Sequence, residues 1–144
     1  MTRILALDLG LKTGYFDNEI GGTIYSPKTD RELFFYNQML DILVLKRHGA
    51  KYDIITFEEA QFQKGVAGYI FNGQRYIINM LAQSLHIPCV GIHSMTVKKT
   101  FTGSGKAEKA DMIAEAAKHT EVVDDNHADA VAVYHTYKIL NGVK

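Results

Sequence analysis

The run Ile4-Leu5-Ala6-Leu7-Asp8-Leu9-Gly10 places one carboxylate inside an otherwise apolar strand. An ionised carboxylate in such a strand carries a heavy desolvation cost unless a cation or strong hydrogen-bond donors compensate it. Two readings of Asp8 are open. Either something positive sits beside it, or it ends the strand and caps the turn that leads from Gly10 to Gly14.

The segments that follow restrict how this strand is housed. Gly14 to Phe16 and Thr23 to Tyr25 read as two further strands, separated by the turn chemistry of Asp17-Asn18 and Gly21-Gly22, which gives an antiparallel meander. Thr29 to His48 is patterned as a helix: Thr29 and Glu32 have capping-box spacing, Lys46, Arg47 and His48 suit the C-terminal dipole, and Gly49 is a stop. Asp53 to Glu58 is a β-rich run, Ala67 to Leu85 a long helix, and Pro88 to Ile92 another apolar strand. Alternating strands and helices imply parallel crossovers. Helices from about Lys106 to His119 and from about Asn126 to Leu140 complete the pattern. The expected architecture is a mixed α/β sheet, three antiparallel strands followed by two parallel ones, with helices on both faces.

With 144 residues and 47% hydrophobic content, the chain fits one domain spanning 1–144. The single cysteine, Cys89, excludes an intrachain disulfide and a cysteine-cluster zinc site, and points to a reducing, cytoplasmic setting. No apolar run is long enough for a membrane span. Sixteen basic residues balance sixteen acidic ones, so composition lends nucleic-acid binding no support and the distribution of charge must carry any such claim.

That distribution is uneven. Glu58 ends the apolar run Ile54-Ile55-Thr56-Phe57, and its carboxylate can approach Asp8 if the two strands lie parallel and adjacent. Alternation lets only one of Glu58 and Glu59 face that place; Glu58 is favoured because it shares a face with Thr56 rather than Phe57. Asp125 and Asp129, four apart, present both carboxylates on one helix face with Asn126 beside them. Asp125 can equally be the helix N-cap, whereas Asp129 interrupts the small-residue stretch from Ala128 to Val133 and needs a partner there.

Four such carboxylates suit hard cations, Mg²⁺ or Mn²⁺, and two ions would activate a water and stabilise a leaving oxygen in phosphodiester hydrolysis. The six histidines lack metalloprotease spacing; His127 alone stands among the acids. Lys98, Lys106 and Lys109, with the Thr102 to Gly105 loop opening a helix, form a candidate surface for a phosphate backbone, though a lysine run is more often a solvated face.

Four blocks carry a family resemblance: Leu7-Asp8-Leu9-Gly10 with Thr13-Gly14-Tyr15; Phe57-Glu58-Glu59; Val97-Lys98-Lys99 with Gly103 to Lys109; and Asn126 to Ala132. Together they resemble the RuvC-type Holliday junction resolvase family of the ribonuclease H-like superfamily, particularly its short phage and viral members. The resemblance implies a ribonuclease H-like fold and a homodimeric, Mg²⁺-dependent endodeoxyribonuclease that resolves four-way or branched DNA junctions in a bacterial cell, including as a phage gene product. It implies metal ligation by Asp8, Glu58 and Asp129 with a fourth ligand at the start of the last helix, and contact of Lys98 and Lys109 with the scissile region.

The sequence departs from the pattern at two places. Asn126 occupies the position where the family has an acid or histidine, so the fourth ligand is either Asp125 or the neutral oxygen of Asn126. The aromatic residue that the family can stack near the junction is out of register, leaving Phe62 as a displaced candidate. Gly68 to Leu85, with Tyr69, Phe71, Tyr76 and Ile77, is the segment chosen for a dimer interface or a junction-facing surface. Three other readings stand beside this one: an RNA-processing nuclease on the same fold, a nucleic-acid-binding module without catalysis, and an actin-like nucleotide-binding domain, for which the chain is too short.

Overall fold

A computed structural model describes residues 1–45, 51–59 and 64–144. Among these residues five strands form one sheet in the order β3-β2-β1-β4-β5. β1 (Ile4–Asp8) runs antiparallel to β2 (Lys12–Phe16), and β2 is antiparallel to β3 (Gly21–Tyr25). On its other side β1 is parallel to β4 (Ile54–Glu59), which is parallel to β5 (Cys89–His93). The expected mixed sheet, with three antiparallel strands and then two parallel ones, is the one observed.

β1 is apolar on both faces because both are covered. Ile4 and Ala6, with Ile54 and Ile92, pack under α5 (Asp125–Leu140) and beside α3 (Ser94–Thr102) and α4 (Lys109–Ala116). Leu5 and Leu7, with Ile55 and Phe57, pack under α1 (Arg31–Leu40) and α2 (Gly65–Ser84). α1 continues into one π-helical turn, Asp41–Leu45. The two faces differ in the size of what covers them. Phe35, Met39, Phe71, Ile78 and Leu81 fill the α1/α2 side, whereas α5 contributes Ala128, Ala130 and Ala132, all fully buried. Small residues let α5 lie close to the sheet. A Cβ at Gly14 would collide with the Asn126 backbone carbonyl, and one at Gly21 with the His127 ring, so glycine is required at both.

Several local expectations change. Gly21 and Gly22 belong to β3 rather than to a turn, because that strand passes under α5. The turn before it is made by Asp17, whose carboxylate accepts from the Glu19 and Ile20 amides at 2.8 and 2.7 Å. The Thr29/Glu32 capping box does not form: α1 starts at Arg31 after Asp30, which has φ 53° and no side-chain cap bond, while Glu32 accepts from the Tyr69 hydroxyl at 3.2 Å. The stop at Lys46 to Gly49 lies outside the described residues.

α3 is a helix that the lysine-rich sequence concealed. It buries only Val97 and Phe101 and is capped by His93, whose Nδ1 accepts the Met95 amide at 3.2 Å. α4 starts at Lys109 rather than Lys106, because Glu108 and Asp111 make a reciprocal capping box there. No helix among the described residues is long and apolar enough to cross a membrane.

Candidate active site

The ladder fixes the direction of the acids. Ala6 is level with Thr56 across the parallel β1–β4 pair, so Asp8 and Glu58, two residues further along each strand, emerge on the same α5-facing side. Glu59 takes the opposite side and forms an ion pair with Arg75 of α2 at 2.9 Å. Thr56, beneath Glu58 on the shared face, is fully buried and its hydroxyl has no hydrogen-bond partner among the described residues.

α5 delivers the other two carboxylates. Its N-cap is Asp124, one residue earlier than a cap at Asp125: the Asp124 carboxylate accepts the His127 amide at 2.9 Å, the Thr23 hydroxyl at 2.6 Å and the Tyr25 hydroxyl at 3.2 Å. These bonds outweigh the upward push of burial and hold Asp124 below the ordinary carboxylate range. Asp125 is thereby free of the capping role. It forms an ion pair with Lys109 at 2.9 Å, which lowers its own pKa and raises that of the lysine. Asn126 donates its amide to Asp125 at 3.3 Å.

These carboxylates influence one another's ionisation. Burial pushes Asp8 well above the ordinary value, and Asp129, Glu58, Asp125 and Asp124 push it further. Asp129 is raised to about 7 by burial, then by Glu58 and Asp125, against the pull of Lys109 and Lys98. Burial raises Glu58, opposed by Lys98 and His93. This is a cluster of mutually repelling acids at the mouth of the sheet, only partly offset by Lys98 and Lys109. Beside it a cleft of about 500 Å³ is lined by Glu58, Lys98, Ala107, Glu108, Lys109, Met112 and Asp129.

Lys98 and Lys109 thus flank the acids. Lys106 lies across Ala107, in a neighbouring cleft of about 390 Å³ with Ser104, Asp111, Glu115 and Lys118. Phe62 falls outside the described residues. His127 is a packing residue: it is buried, its Nδ1 accepts the Val123 amide at 3.1 Å, and burial lowers its pKa despite Asp124. Among the described residues, no three His, Cys, Asp or Glu side chains already form a set that could hold a metal ion. The donor chemistry nonetheless fits a hard divalent cation, since every contributor is a carboxylate and the acids repel one another more than the neighbouring lysines relieve.

Two residues of the site's frame escaped the sequence reading. Asp124 was one position from the expected cap. Gln74, the polar member of α2's buried stripe with Ile70 and Ile78, clamps the loop after Asp8: its Oε1 accepts the Gly10 amide and its Nε2 donates to the Gly10 carbonyl, both at 2.8 Å. A polar residue inside an apolar helical stripe was the available signal.

This is a ribonuclease H-like sheet with acids at the strand ends and on the α5 helix. No family model matches the sequence, and no curated protein sequence does. Solved structures do match: Thermus thermophilus RuvC has a TM-score of 0.77 at 17% identity, over 97% of this chain and 96% of that one. T. thermophilus RuvC in complex with a Holliday junction substrate has a TM-score of 0.79 at 16% identity, over 99% and 98%. The yeast mitochondrial Holliday junction resolvase gives 0.59 at 10% identity, over 94% of this chain and 77% of that one. The fold is that of the RuvC-type resolvases.

Proposed function

We propose that this protein is a metal-dependent, structure-selective endodeoxyribonuclease that resolves four-way or branched DNA by phosphodiester hydrolysis. The observation that carries the reading is the meeting of Asp8, Glu58, Asp125 and Asp129, from two strands and α5, in one partly buried cluster whose members raise the pKa of Asp8. In this proposal they hold Mg²⁺, or Mn²⁺ in its place, as two ions, with Asn126 supporting Asp125. Such ions supply an activated water and stabilise the leaving oxygen.

The chain's own residues set the conditions for this chemistry. Acids alone would repel a phosphodiester, and Lys98 and Lys109 place positive charge on the border of the same cleft. Lys109 holds Asp125 ionised and oriented. Asp129, near 7, is partly protonated at neutral pH until a cation arrives, so ion binding and deprotonation are linked.

Symmetric cleavage of a junction needs two sites, and the outer face of α2 is the proposed homodimer surface: Val66, Tyr69, Tyr76 and Met80 are each more than half exposed along it. Phe71, first grouped with them, points into the core.

The test is cleavage of a labelled four-way DNA junction beside duplex, flap and single-stranded DNA and RNA, with Mg²⁺, Mn²⁺ or chelator. Paired metal-dependent nicks on the junction are expected. Cleavage confined to RNA moves the protein to the RNA-processing reading, and binding without cleavage leaves a binding module.

A further inference from the structure

A patch on β2 and β3, on the other side of β1 from the carboxylate cleft, has no part in the ligand set. Tyr25 ends the edge strand β3 and is 60% exposed, yet its ring is held at both ends. The backbone is in the ladder opposite Lys12, and the hydroxyl donates to Asp124 at 3.2 Å. The Lys12 ammonium lies over the ring, 5.9 Å from its centre.

Register places this pair on the catalytic side of the sheet. Asp8 is level with Gly14, Gly14 with Thr23, and Lys12 with Tyr25. Alternation then puts Lys12, Gly14, Thr23 and Tyr25 on the face that Asp8 uses, and Thr23 and Tyr25 share the Asp124 carboxylate. Tyr25 lies two strands across and two residues along from Asp8, roughly 12 Å at the ordinary spacings of about 4.8 Å between strands and about 3.3 Å per residue. That is the reach of a neighbouring nucleotide from a phosphate held at Asp8.

Charge gives a reason for such a device. The chain has no net charge, and its site is a cluster of acids, so general attraction to a polyanion is weak. Stacking on an aromatic ring works regardless of charge, and a ring tethered by its hydroxyl loses little freedom when a base settles on it. Resting on the nuclease reading above, we infer that Tyr25 and Lys12 form a nucleotide subsite, the ring stacking an unpaired base and the ammonium meeting a phosphate beside the one in the cleft.

The experiment is a thermodynamic cycle in chelator, so that binding is read without cleavage. The probe is a four-way DNA junction carrying a single abasic site, moved in turn through the positions around the exchange point. Wild type, Tyr25→Leu, Tyr25→Phe and Lys12→Gln are compared, with thermal midpoints confirming that each is folded. Tyr25→Leu is expected to weaken binding of the intact junction about 5- to 100-fold. One abasic position should cost wild type a similar factor and cost Tyr25→Leu little more. Tyr25→Phe should stay close to wild type, and Lys12→Gln should lower the slope of log affinity against log salt by about one.

Equal abasic penalties in wild type and Tyr25→Leu at every position overturn the subsite while leaving the nuclease reading intact. So does a Tyr25→Phe variant as weak as Tyr25→Leu, which would make the hydroxyl tether the whole effect. A wild-type protein that binds none of these junctions overturns both.

Discussion

The two faces of the sheet treat their buried polar groups in opposite ways. On the α1/α2 side, Glu59 is matched by Arg75, and Gln74 satisfies both backbone groups of Gly10. On the α5 side, through the same strands, Asp8, Glu58 and Asp129 are partly buried with raised pKa values, and the Thr56 hydroxyl has no partner among the described residues. Adjacent residues of one strand, Glu58 and Glu59, belong to different regimes because the pleat sends them to different faces. One face pairs its polar groups within the protein; the other gathers acids that repel one another. Crowded, partly buried acids are costly, and their concentration at one cleft is what makes that cleft the candidate site.

The comparison breaks most visibly at Asp8. Asp8→Asn should abolish cleavage, by three orders of magnitude or more on the scale of other catalytic groups (roughly 4 kcal/mol or above). In chelator it should at the same time raise the thermal midpoint, because it removes one of the repelling charges. A midpoint that falls would show that the acids are already compensated in the free protein.

Packing sharpens the contrast next. Gly14→Ala puts a methyl into the Asn126 carbonyl and should cost about 3 kcal/mol, with a matching loss of activity as α5 moves; chemical denaturation and cleavage assays read both. On the other face, Gly73→Ala has nothing near its new methyl and should stabilise by about 0.5–1 kcal/mol.

The pH response has a definite sign. Asp129's folded pKa, about 7, is above its ordinary 3.8, so the native state holds a proton that the unfolded chain has released. The stability this confers is fully present below the ordinary carboxylate value and is lost as pH rises through about 7. Thermal midpoints of the metal-free protein should therefore fall between acid and neutral pH, and Asp129→Asn should flatten that fall. The smallest effect is expected at Glu59→Gln: the pair with Arg75 is partly exposed, so its loss should cost under about 1 kcal/mol and leave cleavage near wild type. A large catalytic loss there would mean that the two faces are coupled.

Much of this was written in the local pattern. The sheet order followed from two antiparallel hairpin segments and then helix-linked apolar runs, and the direction of Glu58 from simple alternation with Thr56. What escaped depended on contacts distant in sequence. Gly21-Gly22 looks like a turn until α5 is laid over β3. Asp124 becomes a cap because Thr23 and Tyr25 reach it from the hairpin. α3 carries too few buried residues for its period to show among the lysines. The separation of Lys106 from Lys98 and Lys109 follows from the late start of α4, which a three-residue shift of its cap decides.

The close seating of α5 has a kinetic consequence. Its docking contacts join residues near 14 and 21 to residues near 126, so they close a long loop, and such contacts form late in folding. The same step drives Asp125 and Asp129 toward Asp8 and Glu58. Refolding is then expected to slow as these acids ionise, and stopped-flow refolding rates that rise as the pH is lowered would show it.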